Sequence, residues 1–330
     1  MQHICNVRVS ESMEERDRPI CPKCGYDQSG IIDSWVDSCP INGNCAECGL
    51  GFAWRDVFDP VRNDLHWYAE HTQSLWGIIA RTPGTLMRLV LPWYYWRSVG
   101  VEARISLRAL AMWLIVLAIG LHLLISIPYG IGAWHDQARY YGSLSNLYQN
   151  AGVKGLSQPL IEGIGWPFVG ARVDFIASSL SLYFPITNTR IARSAFTPLF
   201  PLFGMTLVWA LIMLVLPTTR QRAKIRAAHV YRAALISVFT LVLVFEMHRL
   251  TQGLDLWTAT PPMISNTWAR RFGGVVIPLL GLWVLLFWGS AVVVGWRVRP
   301  CGLLIVLGSI ASLIGSVSVF FVLSTIIGWL

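Results

Sequence analysis

From Ala109 onward the chain repeatedly runs for about twenty residues without a formal charge, and this constrains the fold more than any other feature. A membrane span needs about that many apolar residues, because each helical residue advances ~1.5 Å and the hydrocarbon core is ~30 Å thick. Segments 109–127, 195–216, 274–296 and 302–328 satisfy the requirement. His122 interrupts the first, and Pro198 and Pro201 lie in the opening turns of the second. A fifth segment, 229–248, carries Arg232 and Glu246 around an uncharged, largely apolar centre. It counts as a span if those charges snorkel to the headgroups. Charged residues make up 13% of the chain, about half the share usual in soluble domains. The sixteen Trp fit the same picture, since many flank the apolar runs as an interfacial belt does. The expected fold is mainly α: a multi-pass helical membrane bundle of about five spans, with a small N-terminal β module.

Lys and Arg beside the spans set the orientation. Arg81, Arg88, Arg97, Arg104 and Arg108 precede the first; Arg220, Arg222, Lys224 and Arg226 join the second to the third; Arg297 and Arg299 join the fourth to the fifth. All three clusters fall on one side if the N-terminus is cytoplasmic and the C-terminus outside, as in a bacterial inner membrane. The long link 128–193 is poor in cations and falls on the other side. Within it, 175–186 is apolar but short, and crossing there would move the 220–226 cluster outside. An interfacial or re-entrant helix is the expectation. No short apolar core follows a basic start, so the first span is expected to act as an uncleaved anchor.

Six of the seven cysteines lie in the first 48 residues. Four form Cys21-Pro-Lys-Cys24-Gly25 and Cys45-Ala-Glu-Cys48-Gly49. A two-residue gap lets one tight turn present both sulfurs to the same ion, and the following Gly permits the positive φ of that turn. Two such knuckles match the spacing of a zinc site. A cytoplasmic head disfavours structural disulfides, and a redox pair belongs in a larger α/β domain. One structural Zn is therefore expected on Cys21, Cys24, Cys45 and Cys48, with Cys39 as an alternative ligand. Four protein ligands leave no open position for catalysis. Cys5 falls in a start expected to be disordered (1–18), and Cys301 reads as a thiol at the membrane face.

The same residues, with Tyr26 and Asp27, resemble the double-knuckle zinc ribbon that opens many uncharacterised bacterial membrane proteins. The resemblance covers about 19–55, with a longer insert than usual at 33–44. It implies a small β-hairpin module around a structural zinc and no reaction. Such ribbons serve nucleic acid, protein partners or local folding alone. The segment from Cys21 to Cys48 holds one Lys and no Arg against Asp27, Asp33, Asp37 and Glu47, so nucleic acid is disfavoured.

The ribbon is assigned 19–58, and a basic aromatic collar 59–108 follows it, ahead of a membrane domain at 109–330. In the collar Leu65, Tyr68, Thr72, Leu75, Trp76 and Ile79 repeat at helical spacing behind a cap at Asn63 or Asp64. Thr82-Pro83-Gly84 is expected to break that helix, with Pro83 opening a second. Trp93, Tyr94, Tyr95 and Trp96 between Arg88 and Arg97 mix ring and cation as interfacial anchors do. The expectation is a pair of helices on the inner leaflet; recognition of anionic headgroups is the sharper alternative. A Pro83 helix ahead of five spans also resembles the Yip1-like membrane domain, which implies a trafficking or membrane-organising role.

Ionisable groups inside spans are candidate functional residues. His122, Glu246 and His248 fall at similar depth near the outer face, with His135 and Asp136 just beyond, and could ligate a metal or relay protons. The simpler alternative has Glu246, His248 and Arg249 interfacial and His122 bonded to a carbonyl. No nucleophile elbow, P-loop, dinucleotide fingerprint or HExxH motif occurs. Gly308, Ser312 and Ser316, with Ala311 and Gly315, give the last span a small-residue face for another helix or another subunit. Together these residues point to an interaction or membrane-organising role, with the lipid bilayer and a possible protein partner at the ribbon. A membrane enzyme or transporter using His122, Glu246 and His248 is the alternative.

Overall fold

The computed structural model describes residues 19–36, 39–140, 142–174, 179–183, 196–215, 223–258, 267–298 and 301–329. In chain order the elements are α1 (Ser29–Ile32), β1 (Asn42–Asn44), β2 (Gly51–Ala53), α2 (Trp54–Phe58), α3 (Leu75–Leu89), α4 (Pro92–Ser98), α5 (Leu107–Tyr140) and α6 (Leu144–Gly165). Then follow β3 (Gly170–Asp174), β4 (Ser179–Tyr183), α7 (Phe200–Val215), α8 (Ala227–Thr258), α9 (Thr267–Ser290) and α10 (Gly302–Trp329). Among the described residues five helices are long and apolar enough to cross a membrane: Leu107–Tyr140, Thr197–Leu214, Ala227–Leu254, Gly274–Gly295 and Gly302–Ile326. The fold is mainly α, a multi-pass helical membrane protein with a two-stranded sheet near its N-terminus. The chain forms two compact units. One comprises Met1–Trp113, Ala210–Leu235 and Leu286–Leu307; the other comprises Leu114–Trp209, Ile236–Leu285 and Gly308–Leu330.

In the first unit β1 and β2 pair antiparallel, Asn42 opposite Ala53 and Asn44 opposite Gly51. Their small core is aromatic: Trp54 meets Trp35 edge-on at 4.7 Å, Phe52 at 5.1 Å and Phe58 in a stack at 5.9 Å. A side chain at Gly43 would collide with the Trp54 ring, at 2.7 Å from its Nε1, so the hairpin needs glycine there. The 33–44 insert thus supplies Trp35 to the core.

The collar departs from its expected helices in two ways. No helix starts at Asn63 or Asp64; tight 3₁₀ turns occupy Pro60–Asn63 and Ala69–His71, and α3 begins at Leu75 behind Ser74, whose Oγ accepts the Gly77 amide at 3.0 Å. The cause is tertiary: the Leu65 amide is taken by His71 Nδ1 (2.7 Å) and the Ala69 amide by Thr85 Oγ1 (3.0 Å). Nor does Thr82-Pro83-Gly84 break the helix, because α3 runs through Pro83 to Leu89. A proline there forfeits one backbone bond, which the packing of Ile78, Thr85 and Leu89 outweighs. The aromatic run is divided. Tyr95 and Trp96 are buried against Phe287 and Trp296, while Trp93 and Tyr94 face outward.

Helix α5, which enters the second unit at Leu114, is longer than a bilayer needs; its 34 residues span about 51 Å. Among its described residues the long link 128–193 is largely helix and strand. Beyond Pro128, α5 packs on α6, with the Trp134 indole donating to the Leu156 carbonyl at 2.8 Å. Helix α6 starts on a Ser143 cap and turns at Gly152, whose φ is +60°. The expected interfacial helix at 175–186 is corrected over its described part: Ser179–Tyr183 is a strand paired antiparallel with Gly170–Asp174. Its Ser-Leu-Ser-Leu-Tyr alternation has the period of two of a strand, a signal masked by the segment's overall apolarity. Residues 175–178 and 184–186 lie outside the described residues.

The small-residue face of α10 packs on α7. A Cβ at Gly308 would sit 2.4 Å from Trp209, one at Gly315 2.3 Å from Val208, and the Ser312 hydroxyl donates to the Met205 carbonyl at 3.0 Å. An intramolecular neighbour therefore occupies that face. Gly308→Leu should lower stability by about 1–3 kcal/mol through overpacking, whereas Leu313→Ala on the outward side should be nearly silent. Thermal unfolding of the detergent-solubilised protein measures both.

Candidate metal centre and buried ion pairs

Two local turns of the same design build the cysteine cluster. In the first, the Gly25 amide donates to the Cys21 carbonyl (2.9 Å) and the Cys21 amide to the Tyr26 carbonyl (2.8 Å). In the second, Gly49 donates to Cys45 (2.8 Å) and Cys45 to Leu50 (2.9 Å). Gly25 and Gly49 adopt φ of +80° and +68°, where a Cβ would be strained. The turns face each other, with Cys21 Sγ 3.6 Å from Cys48 Sγ and Cys24 Sγ 3.5 Å from Cys45 Sγ. All four sulfurs lie within 4.8 Å of one another. A tetrahedron with metal–sulfur bonds of ~2.3 Å has edges of about 3.8 Å, so the donor set fits a single tetrahedral ion.

The electrostatics agree. Burial pushes the Cys21 thiol up to about 11 and raises Cys24 as well. Burial also acts against the Cys45 thiolate, but the Cys48 and Glu47 backbone N–H groups outweigh it and bring Cys45 down to about 7. Amides thus point at sulfur, as a thiolate cradle requires, and a dication would neutralise the charge that four clustered thiolates cannot share alone. Buried Gln28 adds a side-chain amide 3.4 Å from Cys45 Sγ. Cys39 stands outside the cluster, its Sγ 3.8 Å from the Pro40 carbonyl, and the described cysteines form no disulfide. Cys5 lies outside the described residues.

Both knuckles grip the segment that leads into α8. The Arg226 amide donates to the Lys23 carbonyl at 2.9 Å, and His229 Nε2 donates to the Pro22 carbonyl at 2.9 Å. The Arg226 stem packs beneath Gly25, and Lys224 bonds the Glu47 carbonyl and pairs with its carboxylate at 3.3 Å. Lys23 reaches the Arg297 carbonyl at 3.5 Å.

Nearby, the expectation that Arg232 snorkels is corrected. It is 1% exposed and pairs with the fully buried Glu70, Nε to Oε2 at 2.9 Å. Its Nη2 donates to the Ala103 and Arg104 carbonyls, and Glu70 Oε1 accepts the Ser106 amide at 2.7 Å. Tyr68 and Tyr95 share a 2.5 Å hydroxyl contact alongside. Burial first, then the Glu70 charge, pushes the Tyr68 hydroxyl well up. Burial pushes His71 down; its Nδ1 accepts the Leu65 amide, so its proton sits on Nε2, 3.1 Å from the Arg104 carbonyl.

In the second unit His122 and Glu246 meet, Nδ1 to Oε1 at 2.8 Å, and His122 Nε2 lies 2.8 Å from the Ile164 carbonyl. Fully buried Arg249 joins them, 2.7 Å from His122 Nδ1 and 3.3 Å from Glu246 Oε2, and it also bonds Ser126 and the Gly163 carbonyl. Glu246 is therefore buried rather than interfacial. His248 bonds Gln252 (3.2 Å) instead, and Asp136 pairs with Arg139 (3.5 Å). The close carboxylate partner that a lone intramembrane Arg249 requires is three residues away, a spacing that gives it away in retrospect. Glu70 and Gln28 carry no comparable signal.

No known protein family matches the chain, and no curated protein or solved structure is similar to it. The resemblances noted from the sequence therefore name no family for it.

Two outcomes follow from the first unit. Glu70→Ala leaves Arg232 buried and uncompensated and should cost about 3–5 kcal/mol in denaturant unfolding, while Glu70→Leu with Arg232→Met should be milder than either single change. Because folded His71 binds its proton less readily than the ordinary 6.5, the unfolded chain takes up more protons below that pH. Stability should fall as pH drops through and below 6.5, and His71→Gln should flatten that slope in thermal scans.

Proposed function

We propose that this is a multi-pass membrane protein whose cytoplasmic ribbon holds one structural zinc on Cys21, Cys24, Cys45 and Cys48, and that it has an interaction or membrane-organising role. The observation that carries the reading is the double grip of the knuckles on Lys224, Arg226 and His229. A closed four-thiolate site offers no position for substrate, and its turns are spent on the chain's own membrane part. Zinc supplies charge neutralisation and a tetrahedral crosslink; the residues do the docking. The grouping of ribbon, collar, the start of α8 and Arg297 in one compact unit supports placing their basic clusters on the same, cytoplasmic, side.

Purified protein should carry about one zinc per chain, measured by elemental analysis. Cys21→Ser with Cys24→Ser should abolish it and open the ribbon to proteolysis between residues 19 and 58. A metal-free chain with an equally protected ribbon would refute the assignment.

A membrane enzyme or transporter is the second reading, favoured by one observation: His122 Nδ1 is shared between Glu246 and Arg249 in a buried site, an arrangement that can hold and pass a proton. His122→Ala and Glu246→Ala separate the two. Under the organising reading a variant that still accumulates retains its cellular phenotype; under the second it loses that phenotype at unchanged protein level.

A further inference from the structure

Helix α3 presents two sides of opposite fate. Ile78, Thr85 and Leu89 are buried, whereas Leu75, Trp76, Ile79, Ala80, Pro83, Met87 and Val90 all face outward. That second set recurs at three- and four-residue steps, so it lies on one face, and it contains no polar side chain. Trp76 is 81% and Met87 76% exposed, and the apolar surface continues through Leu91, Trp93 and Tyr94 into α4. An uninterrupted apolar stripe over four helical turns is more than a water-facing surface of a stable protein carries.

Two contacts fix the level at which this stripe sits. The Trp113 indole donates to Thr82 Oγ1 at 3.2 Å, on the inner side of α3. Trp113 is the seventh residue of the Leu107–Tyr140 span, about 9 Å along it and within the uncharged stretch 109–127, so the middle of α3 lies against the first turns of that stretch. On α4, Trp96 packs on Gly295, where a Cβ would be 2.6 Å from its ring, at the last residue of the Gly274–Gly295 span. Both helices are thus held against ends of spans. Leu303 and Val306 show on α10 the same kind of exposed apolar surface that α3 shows. Arg81 and Arg88 occupy the flank between the two sides, Arg81 bonded to the His71 carbonyl and Arg88 over the Trp67 ring at 4.1 Å. Cations on the flank and an apolar outward face are the pattern of a helix lying at the boundary of headgroups and acyl chains.

We propose that α3 and the turn into α4 are embedded in the leaflet on the ribbon's side, with Trp76, Ile79, Met87 and Val90 among the acyl chains. The inference rests on the reading of this chain as a membrane protein. Its occupant is lipid, because the stripe is level with residues inside a span; a second copy or a soluble partner would have to compete with acyl chains already there.

The full-length protein, carrying the photoreactive residue p-benzoylphenylalanine in place of Trp76 or, separately, Met87, is reconstituted into phosphatidylcholine vesicles containing phosphatidylglycerol and irradiated. Intact-mass analysis should find a monomer bearing one phospholipid at both positions, and none when the probe replaces Val36 of the ribbon. Crosslinked dimers, or monomers without lipid at both positions, would overturn the proposal. Alkaline carbonate extraction of the same vesicles reports the spans independently. A protein retained in the pellet without lipid adducts sinks this inference alone, whereas release into the supernatant sinks the membrane reading and this inference with it.

Discussion

An arginine and a glutamate out of reach of water hold the first unit together. Arg232 and Glu70 each lose their hydration, a cost of several kcal/mol per ion, and their mutual attraction is helped to offset it by backbone partners on Arg232 Nη2 and Glu70 Oε1. Those contacts require the Ala103 and Arg104 carbonyls and the Ser106 amide to come to the same place. Three stretches far apart in sequence, around residues 70, 104 and 232, are thereby brought to one position. The 3₁₀ turn that carries Glu70, the Tyr68–Tyr95 contact and the approach to α5 all follow from that meeting.

The metal ribbon is a separate solution to a related difficulty. Three-residue strands and one aromatic cluster bury too little apolar surface to hold 40 residues folded, so a crosslink has to substitute for a core. Four thiolates around the proposed zinc would do so locally, holding the knuckle backbones so that their carbonyls are offered at fixed positions. Pro22 and Lys23, the two residues between the first pair of cysteines, lie outside the sulfur cluster; their carbonyls face His229 and Arg226. The sulfurs that would hold the proposed zinc and the carbonyls that dock α8 thus belong to one turn.

How much of this was legible in sequence depended on whether a signal was local. The spans and the cysteine turns are written in contiguous residues, through hydropathy over twenty positions and through a two-residue gap followed by glycine. The meeting of His122 with Glu246 was inferable from topology, since their depths follow from their places in antiparallel spans. The failures share a cause. Glu70 carries no local signal, because its partner is 162 positions away, and Arg232 reads as an interfacial cation for the same reason. The β3–β4 hairpin was hidden differently: averaged apolarity concealed an alternation visible only residue by residue. Pro83 misled because its cost is fixed and local whereas the packing that outweighs it is not.

The grip of the first knuckle on the start of α8 also bears on time. Cys48 completes the ribbon's ligand set, yet Lys224, the first residue that the ribbon docks against, follows 176 positions later (224 − 48). Synthesis at about 5–20 residues per second separates the two by roughly ten to thirty-five seconds. A ribbon that binds the proposed zinc would thus have time to close while two spans are still being made, and would stand as a finished surface for the third. With the proposed zinc bound, order of synthesis would make the ribbon a template for a later transmembrane helix rather than a decoration added to a completed membrane protein.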